Sequence, residues 1–149
     1  MKKEFITNSA KETLSLAMRL GGLITEGCVI AFKGDLGSGK TCFTTGLAKG
    51  LDYFGEANSP TFAIVNEYLG GRLPIYHFDM YRIADEDELY SIGFYDYLDD
   101  DAVLAIEWSE NIETALPLDT VFVTFSNQSE NSRTITIECT EEKAFLKEL

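Results

Sequence analysis

The chain has 149 residues and a formal net charge of −13, twelve Lys and Arg standing against twenty-five Asp and Glu. That length suits one domain burying about 68–70% of its unfolded surface, and the acidity argues against autonomous binding of RNA or DNA, which needs a basic face. Cys28, Cys42 and Cys139 lack C-x-x-C spacing, which points to packing rather than to disulfides or zinc, with Cys42 set apart by its place near the phosphate loop, and no apolar run approaches the roughly 20 residues of a membrane helix. A cytoplasmic protein without membrane contact is therefore expected.

Ser9-Ala10-Lys11-Glu12 reads as a capping box. Leu14, Ala17, Met18 and Gly21 follow at helical spacing, so a helix should run to the pair Gly21-Gly22 and lay its apolar face on a sheet. Residues 28–32 form a short apolar run suited to a buried parallel strand. Immediately after it, Gly34 to Thr41 reads GDLGSGKT, matching the phosphate-loop pattern G-x-x-x-x-G-K-[ST]. Residues 41–47 then continue as a helix with Phe43 and Leu47 on one face.

Residues 62–68 and 73–79 predict a hairpin around Gly70-Gly71, with Pro74 near an edge. The acids from Asp85 to Glu88 suit the first turn of a helix that Gly93 stops, and residues 94–98 suit a further short turn. A second buried strand is expected over 102–106, another hairpin over 121–125 and 133–137, and a short helix over 141–149. The resulting expectation is a single α/β domain spanning 1–149, a P-loop NTPase-like, mostly parallel central sheet flanked by helices, with added antiparallel hairpins.

The chemistry of the loop predicts triphosphate binding. Glycines let backbone amides of Asp35, Leu36, Gly37, Ser38, Gly39, Lys40, Thr41 and Cys42 converge on phosphate oxygens at a helix N-terminus. Lys40 supplies a point charge to the terminal phosphates, and the Thr41 hydroxyl a hard oxygen for magnesium. Hydrolysis needs carboxylates as well, and two end apolar strands at the sheet edge where α/β ligands sit: Glu107, beside the lone Trp108, and Asp79. Thr61, in Ser59-Pro60-Thr61-Phe62, fits either a switch hydroxyl or a simple turn. His77 is the lone histidine, which disfavours a Ser-His-Asp or Cys-His hydrolase. Arg82 suits either phosphate charge or pairing with the acids at 85–88.

Taken together, GDLGSGKT, SPTF at 59–62, HFDMYR at 77–82 and EW at 107–108 resemble, in order, the TsaE (YjeE) family. The resemblance spans nearly the whole chain. It implies a small ATPase for threonylcarbamoyladenosine formation at position 37 of tRNAs reading ANN codons, acting with TsaD and TsaB and reaching tRNA through them. It also implies Lys40 and Thr41 on phosphate and magnesium, Glu107 completing the magnesium and water arrangement, Asp79 as second site acid, Thr61 as switch hydroxyl and Trp108 near the nucleotide. Met80 and Ser109 stand where Leu and Pro are common in the family. Adenine preference rests on the resemblance. Competing readings are a small-molecule kinase, for which the chain lacks an Arg-rich lid, and a nucleotide-dependent adaptor that leaves ATP intact.

Overall fold

The computed structural model describes residues 1–34, 39–57, 64–141 and 143–149. Its strands are β1 (Lys2–Thr7), β2 (Cys28–Lys33), β3 (Val65–Tyr68), β4 (Ile75–Asp79), β5 (Val103–Glu107), β6 (Val121–Asn127) and β7 (Arg133–Glu138). Its helices are α1 (Ala10–Leu23), α2 (Lys40–Gly50), α3 (Glu86–Ser91), α4 (Phe94–Asp99) and α5 (Ala144–Glu148), with a 3-10 segment over Ser109–Ala115. The strands form one sheet in the order β1-β7-β6-β2-β5-β4-β3.

The centre of the sheet is parallel: β2 pairs with both β5 and β6, and β4 with β5. Strands β2, β4 and β5 are buried at all but their last positions because helices cover both faces. One face carries Ile30, Phe32, Ala105 and Val123 against Leu16 and Leu20 of α1 and Phe43 and Leu47 of α2. The other carries Val29, Phe78, Leu104 and Ile106 against Leu89 of α3 and Phe94 of α4. Antiparallel partners complete both flanks, β3 on β4 and, on the other side, β7 on β6 with β1 beyond it.

The expected elements appear with informative differences. Strand β1 was not foreseen, since Lys2, Lys3 and Glu4 hide a half-buried alternation of the kind edge strands carry. Pro74 lies just before β4, an internal strand rather than an edge; it needs no amide there, and its carbonyl accepts from Val103 N at 2.9 Å. Of the predicted strand 62–68, positions 62 and 63 lie outside the described residues, and β3 begins at Val65.

Helix α1 starts as read, the Ser9 hydroxyl accepting from Glu12 N at 3.1 Å, and ends just past the glycine pair. Gly21 has a further role, however. A Cβ on it would sit 2.4 Å from the Leu47 carbonyl oxygen and 3.0 Å from Gly50 Cα, so α1 and α2 meet backbone to backbone. Backbone cannot swing away, and Gly21→Ala should lower stability by about 1–3 kcal/mol in urea unfolding. That contact anchors α2, whose first turn belongs to the site.

Candidate nucleotide site

Strand β2 hands the chain to Gly34, where φ is +134° and a Cβ would meet the Phe125 carbonyl oxygen at 2.7 Å. Only glycine fits that turn. Helix α2 begins at Lys40 with Gly39, at φ +108°, as its N-cap and Phe43 N donating to Gly39 O at 2.8 Å. The strand expected before GDLGSGKT and the helix expected at its end are therefore present. Asp35, Leu36, Gly37, Ser38 and Thr61 lie outside the described residues. Lys40, Thr41 and Cys42 form the first turn of α2, whose leading amides have no partners within the helix and so favour an anion.

Asp79 and Glu107 are direct register partners at the carboxyl ends of β4 and β5. Being paired on parallel strands, they project to one face, that of α1 and α2. The Lys40 ammonium lies 5.8 Å from the centroid of the Trp108 ring, so the residue after Glu107 touches the phosphate-loop lysine. This contact joins the two halves of the site.

The turn after Glu107 is pinned from three sides. Trp108 is left-handed (φ 58°, ψ 39°), a conformation that is strained for a bulky residue and tends to mark functional positions. Ser109 is fully buried and its hydroxyl donates to Phe32 O at 3.2 Å, tying the turn to β2. Asn111 Nδ2 donates to Met80 O at 2.9 Å, and Met80 N to Glu107 O at 3.0 Å, tying it to the end of β4. Asp79 turns one oxygen, Oδ1, back to accept from Tyr81 N at 2.9 Å. Tyr81 stacks on Trp108 with centroids 4.8 Å apart.

His77 is buried and engages the site directly. Its Nε2 lies 2.6 Å from Glu107 Oε2, and its Nδ1 lies 3.0 Å from the Tyr68 hydroxyl. Arg82 is exposed and forms no ion pair with the acids at 85–88 among the described residues.

One site residue escaped the sequence reading. Arg133, the first residue of β7, places its Nε 3.3 Å and its Cδ 3.4 Å from where a Gly39 Cβ would be. That Nε is buried without a hydrogen-bond partner among the described residues. A guanidinium held in this state against the phosphate loop is a cation aimed at an anion's place. Nothing in its spacing announces it, because the placement depends on β7 folding back along β6. Burial raises the Cys42 thiol pKa above its ordinary value, although the nearby Arg133 charge pulls the other way. Burial pushes Cys28 up to about 12. All three cysteines are free; Cys28 and Cys139 are buried, and Cys42 is half-buried.

The donor set suits magnesium and a triphosphate. Thr41 offers a hydroxyl and Glu107 a carboxylate, both hard oxygens, while Lys40 and Arg133 supply positive charge in an otherwise acidic protein. Magnesium characteristically takes only one or two protein oxygens alongside phosphates and water.

A phosphate-loop sequence opening a helix at the carboxyl edge of a parallel-centred sheet, with carboxylates on the adjacent strands, defines a P-loop NTPase-like α/β protein. The sequence profile of the family described as "Threonylcarbamoyl adenosine biosynthesis protein TsaE" matches residues 7–135, and the chain belongs to that family. It is 38% identical over 130 residues to the tRNA threonylcarbamoyladenosine biosynthesis protein TsaE of Bacillus subtilis, covering 87% of this chain and 81% of the relative. It is 37% identical to the protein of the same name from Treponema pallidum over 132 residues, 89% of this chain and 97% of the other. The fold superimposes on the crystal structure of Bacillus subtilis YdiB with a TM-score of 0.81 at 30% identity, covering 99% of this chain and 93% of that one. No helix among the described residues is long and apolar enough to cross a membrane.

Proposed function

We propose that the protein is a single-domain, magnesium-dependent ATPase of the cytoplasm that serves threonylcarbamoyladenosine formation on tRNA, acting with TsaD and TsaB. The observation that carries this reading is the meeting of Lys40 with Trp108, which brings the start of α2 beside the paired ends of β4 and β5. Family membership and the names of the relatives support the pathway. The charge of −13 fits a protein that reaches tRNA through partners.

Lys40 and the first amides of α2 hold the β- and γ-phosphates, and Trp108 lies alongside the nucleotide. Thr41 and Glu107 hold magnesium, which when bound neutralises charge on the phosphate oxygens. Glu107 also orients the attacking water and Asp79 supports it. Arg133, beside Gly39, meets the phosphate charge. Thr61 serves as the switch hydroxyl. The chain offers no glutamine assignable to orienting the attacking water, so turnover should be slow alone and faster with TsaD and TsaB, whose binding would complete the site.

The test is ATP turnover and tRNA modification with and without TsaD and TsaB, for the wild type and Lys40→Ala. Wild-type turnover should rise with the partners, and Lys40→Ala should lose nucleotide binding and both activities. Equal wild-type rates in the two conditions, or intact ATP throughout, would count against an ATPase acting in that assembly.

A further inference from the structure

We infer that His77, held by Tyr68, is a positioning residue that fixes the Glu107 carboxylate for its work at the nucleotide site. This deepens the ATPase reading and rests on it for the role of Glu107. The three residues share one face of the sheet: Tyr68 on β3, His77 on the adjacent β4, and Glu107 on β5 beyond. His77 pairs with Ala105 in register, so Glu107, two residues on, is its diagonal neighbour on that face.

The chemistry gives the chain a direction. A carboxylate can only accept, so the contact of 2.6 Å requires Nε2–H of His77 to donate to Glu107 Oε2. In the neutral ring, Nδ1 is then an acceptor, and the Tyr68 hydroxyl donates to it at 3.0 Å. The imidazole is held at both nitrogens and is 1% exposed, while the Glu107 side chain is 13% exposed. Changing rotamer would break both contacts inside an enclosed site. One carboxylate oxygen is thereby committed to His77, and Oε1 is the oxygen this contact leaves for metal or water. Tyr68 is itself braced by Tyr53, with ring centroids 5.2 Å apart and planes at 27°.

A buried His that merely fills the core has no need to end on a carboxylate at the reacting edge. Partners of this kind, which orient a metal-binding side chain from behind, typically account for about 10- to 100-fold in metal affinity or activity. Three substitutions separate orientation from packing. His77→Phe keeps the ring and removes both contacts; His77→Gln returns an amide N–H towards Glu107; Tyr68→Phe removes only the hydroxyl.

The experiment measures Mn²⁺ binding by electron paramagnetic resonance in the presence of ADP, together with kcat and KM for ATP and the thermal midpoint. His77→Phe should weaken Mn²⁺ binding about 10-fold and lower kcat by about 10- to 100-fold with little change in KM. His77→Gln should recover most of both, and Tyr68→Phe should show a smaller loss of the same kind. Wild-type Mn²⁺ affinity in folded His77→Phe, or a loss in His77→Gln as large as in His77→Phe, overturns the inference. If His77→Phe does not fold, Tyr68→Phe decides, since unchanged Mn²⁺ affinity there removes the chain from the mechanism. A wild type that binds Mn²⁺ with ADP yet hydrolyses no ATP would defeat the ATPase reading, while the Mn²⁺ comparison would still judge His77.

Discussion

Replacing Glu107 by Gln is expected to lower ATP turnover by about 10²- to 10³-fold while leaving ATP affinity within about threefold. The amide oxygen can still accept from His77 Nε2, so the buried imidazole keeps its partner and the fold its stability. What disappears is the negative charge at the end of β5, which in the proposed mechanism would hold metal and attract the proton of the attacking water. Glu107→Ala is the harsher change, because it strands a buried donor and should cost about 1–3 kcal/mol of stability besides the rate. Comparing the two separates chemistry from folding. Turnover by Glu107→Gln within threefold of wild type, measured with TsaD and TsaB present, would remove Glu107 from the mechanism and leave Asp79 as the remaining site acid.

The parallel centre of the fold was legible because burial on both faces leaves a plain signal. Residues 28–32 and 102–106 are apolar without alternation, and they became β2 and β5 with small shifts at their ends. Glu107 and Asp79 were legible for the same reason, each being the first charge after such a run. Their pairing in register was not, since it depends on how β4 seats against β5, and that is fixed by side chains on two helix layers. Strand β1 was hidden because an edge strand carries charges to discourage further pairing.

His77 shows a different limit. Sequence disfavoured a Ser-His-Asp or Cys-His role for it but could not distinguish a packed ring from one aimed at Glu107. The distinction lies in a diagonal contact across two strands and a tyrosine from a third. The turn at 109–115 was missed outright: Ser109 and Asn111 hold it through side-chain bonds to the ends of β2 and β4, and no apolar period accompanies such anchoring.

Arg133 supplies the second large effect. The sequence offered only Arg82 for phosphate charge, with acid pairing as its alternative, yet the fold brings Arg133 against Gly39 with a buried Nε that has no hydrogen-bond partner among the described residues. An unmet buried donor destabilises the protein in the absence of a ligand, and such groups persist where function uses them. Arg133→Ala should therefore lower ATP turnover by about 10²-fold or more, in the manner of arginines that meet phosphate charge in the transition state. Its unfolding midpoint should stay the same or rise, since the buried Nε has no hydrogen-bond partner to lose among the described residues. Arg133→Lys should recover little, because a single ammonium cannot reproduce the planar fork that meets two phosphate oxygens. The decisive comparison pairs turnover with urea unfolding of the protein alone. A variant that loses rate but not stability assigns Arg133 to the nucleotide, whereas normal turnover with reduced stability makes it a packing residue of β7.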